Sequence, residues 1–191
     1  MHYKKISIEE CKGVYPPRED SLLLAKIVEE YASGKVLDLG TGTGLQGIIA
    51  AKKGCKVTFA DIDANALKCA SANAKTNGVS GEFTKTDLFS NIKDSFDTII
   101  FNPPYLDSKN LSQHKSRNYA LDGGVGGREM INAFLKAYST FLEEDGIVLL
   151  VESGFNLYER DVKESGAVVI AKEHYFFEDL VVLLLKARPG G

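Results

Sequence analysis

The sequence predicts an α/β fold: a mostly parallel seven-stranded sheet with helices on both faces and an antiparallel last strand. Three observations lead there. Short apolar runs, among them Lys35–Leu39, Lys56–Ala60, Phe96–Phe101 and Gly146–Val151, have the length and continuity of strands buried on both faces. Segments with apolar residues at helical spacing stand between most of them, and such alternation builds parallel sheets. The last two runs, around Ala167–Ala171 and Leu180–Lys186, are joined by Lys172 to Asp179. That connection is too short for a crossover helix, so these two strands pair antiparallel.

Taken in order, the residues through Val14 are mixed and suggest a short strand or hairpin. Pro16 and Pro17, then Glu19 and Asp20, mark a helix start, with proline tolerated in the first turn and carboxylates favoured at the positive helix end. Leu24, Ile27, Val28 and Tyr31 continue that helix, and Gly34 ends it. The strand Lys35–Leu39 runs into Gly40-Thr41-Gly42-Thr43-Gly44, and a helix opens at Leu45. Asp61 ends the second strand, about 20 residues past the glycine turn, where an acidic group reaches ribose hydroxyls. Asp63 caps the next helix, whose inner stripe includes Leu67, Ala70 and Ala74, and Asn77-Gly78 closes it. A third strand near Gly81–Lys85 precedes Asp87-Leu88. After the fourth strand comes a long stretch from Leu106 to Gly127, carrying Lys109, His114, Lys115 and Arg117 and then a glycine cluster. Loops of that length are often functional. Ile131, Phe134, Leu135, Tyr138 and Leu142 predict a long amphipathic helix, and a further helix is expected near Asn156–Lys163.

At 191 residues, 44% hydrophobic and 26% charged, the composition is that of one ordinary globular domain over 1–191, with an N-terminal segment and helix over 1–34 and a core over 35–191. The net charge of −3 supplies no global basic field for nucleic acid. No apolar run follows Lys4-Lys5, so no signal peptide is expected. No run is long enough to cross a bilayer, and the expected compartment is the cytoplasm. Cys11, Cys55 and Cys69 show no paired metal spacing and are expected as reduced thiols in or near the core, with no metal site.

The chemistry concentrates where the fourth strand stops, at Asn102-Pro103-Pro104-Tyr105. Two prolines make a stiff, extended turn at the carboxyl end of a buried strand, where open α/β sheets place their ligands. The Asn102 amide oxygen and a backbone carbonyl can accept the two hydrogens of a planar –NH2 group, and an aromatic face follows. The tetrapeptide resembles the fourth motif of amino-methyltransferases that use S-adenosylmethionine. There the Asn oxygen and the first Pro carbonyl hold the target nitrogen.

Gly42-Thr43-Gly44-Leu45-Gln46-Gly47 also satisfies G-x-G-x-x-G, so a dinucleotide cofactor competes. Its first glycine falls two residues late for that motif. Asp38, Asp61 and Asp87 at strand ends suit a cationic sulfonium ligand and oppose a pyrophosphate. Glu19 and Asp20, read mainly as helix-start residues, add to the same charge.

Tyr15 to Leu24, Val36 to Gly44, Asp61, Asp87-Leu88, Asn102 to Tyr105 and Gly123 to Glu129 together resemble the HemK/PrmC-type protein-(glutamine-N5) methyltransferases, from about Val14 to Val151. With only residues 1–34 ahead of the glycine motif, the chain is similar to the short eukaryotic and archaeal branch. Ser21 stands for that branch's Thr, Pro16 for a frequent Glu, and Asp38 for the Glu of some relatives. The resemblance implies a Rossmann-like class I S-adenosylmethionine-dependent methyltransferase fold. It also implies roles. Ser21, the Gly40 backbone and Asp38 would meet the amino-acid end of the cofactor, with Gly42 and Gly44 in the same turn. Asp61 would meet the ribose. Asp87 and Leu88 would meet the adenine. Asn102, Pro103 and Tyr105 would be the catalytic residues and, with Pro104, would hold the target, and Asn102 would also border the cofactor.

The function so implied is methylation of the glutamine amide in the Gly-Gly-Gln motif of a class I peptide chain release factor. The alternatives are adenine-N6 methylation of DNA or RNA, which the Lys109–Arg117 cluster favours, protein-lysine methylation, and a non-catalytic cofactor-binding module. The charge balance speaks against a nucleic-acid partner. The short branch further implies a small zinc-binding activator subunit. Its expected dock is the third strand, at the sheet edge, with Phe83 and Thr84 presenting unpaired backbone groups.

Overall fold

The computed structural model describes residues 1–104, 128–175 and 178–187. The N-terminal hairpin pairs β1 (His2–Tyr3) with β2 (Ile6–Ser7). The main sheet holds β3 (Lys35–Leu39), β4 (Lys56–Asp61), β5 (Glu82–Lys85), β6 (Phe96–Phe101), β7 (Leu142–Ser153), β8 (Val168–Tyr175) and β9 (Glu178–Lys186). Their order is β5-β4-β3-β6-β7-β9-β8. β3 to β7 pair in parallel, and β9 runs against both of its neighbours. The fold class is the one that the alternation of strands and helices implies.

Helices α1 (Glu19–Tyr31), α2 (Leu45–Lys52) and α3 (Ala64–Thr76) cover one face. There Leu24, Val28, Ile48 and Ala70 pack with Val36, Phe59, Ile100 and Leu149 of the strands. Helices α4 (Glu129–Ala137) and α5 (Tyr158–Ser165) cover the other face. Phe134 and Tyr138 pack there on Leu39, Phe101 and Leu150. Neighbouring strand residues thus serve opposite cores, which is why β3 reads as a continuous apolar run.

Several expectations need correction. The helix expected from Ile131 to Leu142 ends at Ala137, and a 3₁₀ turn, Tyr138–Phe141, follows. Ser139 and Thr140 are weak helix formers, and Leu142 already pairs with Phe96 at the start of β7. The helix expected from Asn156 starts at Tyr158, after a 3₁₀ turn over Gly154–Asn156. Pro16 and Pro17 lie ahead of α1, whose N-cap is Arg18, and not inside its first turn. The cysteines are not all reduced: Cys11 and Cys69 form a disulfide, and Cys55 is free. Nothing in the local pattern of residues 8–14 announces that they fold back onto α3. Among the described residues no helix is long and apolar enough to cross a membrane.

Candidate active site

The carboxyl ends of β3, β4 and β6 open on a cavity of about 590 Å³. Gly40 and Gly42 turn the chain out of β3 with φ of 64° and 53°, a region that favours glycine. Both line the cavity, as do Ser21, Asp38, Asp61, Asp87, Leu88, Asn102 and Pro104. Gly44 and Pro103 are not among the lining residues. Gly44 has a packing reason instead: a Cβ there would come within 3.0 Å of Ala70, so its absence lets α2 and α3 approach. Tyr105 and the stretch from Leu106 to Gly127 lie outside the described residues.

The acidic groups are held by the backbone turns beside them. Asp38 is 2% exposed, and its Oδ2 accepts from Thr41 Oγ1 at 2.5 Å and from the Gly47 N–H at 2.9 Å. Burial pushes its pKa up to about 7, against the pull of those two hydrogen bonds. Asp61 accepts from the Gly42 N–H at 3.0 Å and the Asp63 N–H at 2.9 Å, and burial raises its pKa as well. Asp87 is exposed at the cavity rim. Leu88 follows it with φ of 45°, a strained turn held by the Thr86 hydroxyl donating to the Leu88 carbonyl at 2.9 Å.

Asn102 shows the most informative geometry. Its Nδ2 donates to Asp20 Oδ2 at 3.0 Å. The same carboxylate accepts from the Ser21 N–H at 2.6 Å and the Ser21 hydroxyl at 3.2 Å. A carboxylate that gathers donors forces the amide to turn its –NH2 inward. Asn102 Oδ1 is then the free end, and it is buried with no hydrogen-bond partner among the described residues. Leaving a buried acceptor unpaired costs about 1–3 kcal/mol, so this oxygen is a place where a donor is missing.

Two of these residues escaped the sequence. Asp20, read there as a helix-start residue, is 2% exposed and bonded to Asn102 from 82 positions away. Gln46, a cavity-lining residue that is 7% exposed, donates from Nε2 to the Ser21 carbonyl at 2.8 Å and leaves Oε1 buried and unpaired among the described residues. A Gln in the first turn of α2 gives no local sign of this.

The lining suits S-adenosylmethionine. Asp38, Asp61, Asp63 and Asp87 line the cavity, and no Lys or Arg does among the described residues. Buried carboxylates with raised pKa gain most from a cation and lose most to a phosphate.

Comparison with known proteins agrees. The family described as Methyltransferase small domain matches residues 18–176. A Methanocaldococcus jannaschii protein named "Putative protein N5-glutamine methyltransferase" is 42% identical over 177 residues, covering 89% of this chain and 90% of that protein. An Escherichia coli "Ribosomal RNA small subunit methyltransferase C" is 35% identical over 132 residues, covering 65% of this chain and 38% of that protein. Among solved structures, a T. thermophilus 16S rRNA methyltransferase in complex with AdoMet and guanosine superposes with a TM-score of 0.67 at 22% identity, over 91% of this chain and 44% of that one. The chain therefore belongs to the methyltransferase small-domain family and is an S-adenosylmethionine-dependent methyltransferase.

Proposed function

We propose that this chain, acting as a single domain in the cytoplasm, methylates the side-chain amide of a glutamine. The proposed target is the Gly-Gly-Gln motif of a class I release factor. The observation that carries this reading is the Asn102 oxygen, oriented by Asp20, buried and without a donor among the described residues. A primary amide offers two N–H donors, one for Asn102 Oδ1 and one for the Pro103 carbonyl. Both bonds draw the amide lone pair onto nitrogen and aim it. Pro104 and Tyr105 would pack against the amide plane. When bound, S-adenosylmethionine supplies the electrophilic methyl group. Ser21, Asp38, the Gly40 backbone and Gln46 would hold its amino-acid end, Asp61 its ribose, and Asp87 with Leu88 its adenine. The acceleration then rests on aligning the amide nitrogen with the methyl group. The target proton can leave to water once the nitrogen carries its methyl.

A second reading is methylation of an exocyclic base amine, which presents the same two hydrogens. The likeness to a ribosomal RNA methyltransferase favours it. Lysine fits less well, because an ammonium must first lose a proton. The deciding experiment is labelled-methyl transfer to purified release factor, adenine- and guanine-containing RNA and DNA, and a lysine-rich protein side by side, with mass spectrometry of the product. Methylation of RNA but not of release factor would overturn the glutamine reading.

The Asp38 assignment has a pH signature. Its raised pKa of about 7 means that the free protein holds a proton which an ammonium ligand must expel. Cofactor affinity is therefore expected to rise with pH up to about 7 and then level, with proton release on binding. Asp38→Asn should flatten the profile. Calorimetry in buffers of different ionisation enthalpy measures both effects.

The proposed activator would add a strand to β5, which among the described residues pairs only with β4, at the sheet edge. Phe83 there stacks on Phe59 at 4.8 Å and remains 37% exposed. The opposite edge, β8, carries a register shift after Val169 and the charged Lys172 and Glu173, devices that discourage pairing. Thr84→Pro is expected to abolish capture of a small zinc protein in a pull-down. Full activity of the isolated chain, unchanged on adding that protein, would remove this partner.

A further inference from the structure

The Cys11–Cys69 bond sits against the wall of the cofactor cavity. Cys69 lies on α3 and is 3% exposed. Cys11 lies on the irregular stretch between β2 and α1 and is half-buried. The two cysteines pack with Val14 and Ala66, and both of these line the cavity. Gly13, Tyr15 and Pro17 continue the same wall.

The anchoring of this stretch is uneven. Its early part is tied to α3 by amide side chains. Asn77 accepts from the Ser7 N–H at 3.0 Å and donates to the Ser7 carbonyl at 2.8 Å. Asn73 accepts from the Glu9 N–H at 2.9 Å and donates to the Glu9 carbonyl at 3.0 Å and to the Thr43 carbonyl at 2.9 Å. Beyond Glu9 the disulfide is the next tie to α3. Lys12 and Gly13 are exposed, and Gly13 takes φ of 82° with open space around its α-carbon. Val14 rests on the cysteine cluster itself.

We propose that Cys11 and Cys69 are positioning residues for the cofactor, holding the Gly13–Pro17 wall against the cavity, so that the redox state of their bond sets cofactor affinity. A dithiol reductant would supply two electrons and two protons. The S–S bond breaks, Cys11 and Cys69 become thiols, and the reductant closes its own disulfide. The wall then keeps its burial at Val14 and the Tyr15 hydroxyl's bond to Asp20 at 3.4 Å but loses the covalent tie to α3, and cofactor binding must re-order the part that the tie held. The half-buried Cys11 side gives the reductant access, while Cys69 stays inside.

The test uses the full chain, oxidised and after dithiothreitol, with S-adenosylhomocysteine as the probe in calorimetry, well below the unfolding transition of each form. Alkylation under denaturing conditions, read by mass spectrometry, should find one free thiol in the oxidised protein and three after reduction. Reduction should weaken binding by roughly tenfold, the equivalent of re-ordering about one backbone residue. Re-oxidation should restore it. Cys11→Ser should bind like the reduced protein and ignore the reductant, with turnover at saturating cofactor unchanged within about twofold of the reduced protein. Equal affinity of the oxidised and reduced forms would overturn the proposal. So would three reactive cysteines in protein exposed to an oxidised dithiol, or Cys11→Ser binding as tightly as the oxidised protein.

Discussion

Asn102→Ala is expected to lower the rate of methyl transfer by roughly 10²–10³-fold, the loss seen when one preorganised hydrogen-bonding group is removed from a reacting centre. Cofactor affinity should stay within about threefold, because the contacts removed are mainly those to the methyl acceptor and to Asp20, whose bonds from Ser21 remain. Asp20→Asn separates the two halves of the argument. It keeps size and removes the charge that gathers donors from Ser21 and Asn102. A carboxamide at Asp20 can present either its oxygen or its –NH2, so the Asn102 amide loses its enforced orientation. The expected result is an intermediate loss of rate with cofactor affinity preserved. Single-turnover transfer of a labelled methyl group, with calorimetry on S-adenosylhomocysteine, reads both quantities. Near-normal turnover in Asn102→Ala would remove this residue from the reaction.

The second large effect lies where α4 begins, at its N-cap Arg128. Arg128 donates to Asp161 at 2.7 Å and to the Asn156 carbonyl, and stands 3.5 Å from Glu152. The three ionisable side chains are 12%, 0% and 3% exposed for Arg128, Glu152 and Asp161. Two carboxylates thus share one guanidinium away from water. Burial, with Asp161 beside it, pushes the Glu152 pKa up to about 9, so Glu152 is neutral near pH 7. Arg128→Leu strands the Asp161 charge, and the expected loss is about 3–5 kcal/mol, typical of breaking a buried ionic cluster from one side. Glu152→Gln keeps the neutral state and should cost far less at pH 7. The sign of the pH effect follows. The folded chain holds a proton on Glu152 that the unfolded chain releases between the ordinary 4.5 and about 9. Stability should therefore fall as pH rises across that window, and Glu152→Gln should remove that slope. Urea unfolding of the three proteins at pH 6 and 8.5 measures this. A slope unchanged in Glu152→Gln would assign it to other groups.

By itself the sequence determined the features that depend on neighbours along the chain. Strand β3, the glycine turn, the Asp63 cap, the Asn77-Gly78 stop and the proline-stopped end of β6 appear where periodicity and turn chemistry place them, because burial on both faces, left-handed turns and missing N–H groups are local demands. The antiparallel β8–β9 pair was legible for the same reason, from a connection too short to cross over. Only the tertiary structure decided which distant residues complete the site. Asp20 orients Asn102 across 82 positions, and Cys11 reaches Cys69 across 58. Gln46 earns its place only because α1 passes over the first turn of α2 and offers the Ser21 carbonyl. Arg128 finds Glu152 and Asp161 on β7 and α5. Such pairings leave no trace in hydrophobic period or turn composition. They arise when packing removes water around a polar group, which must then find its partner in space rather than along the chain.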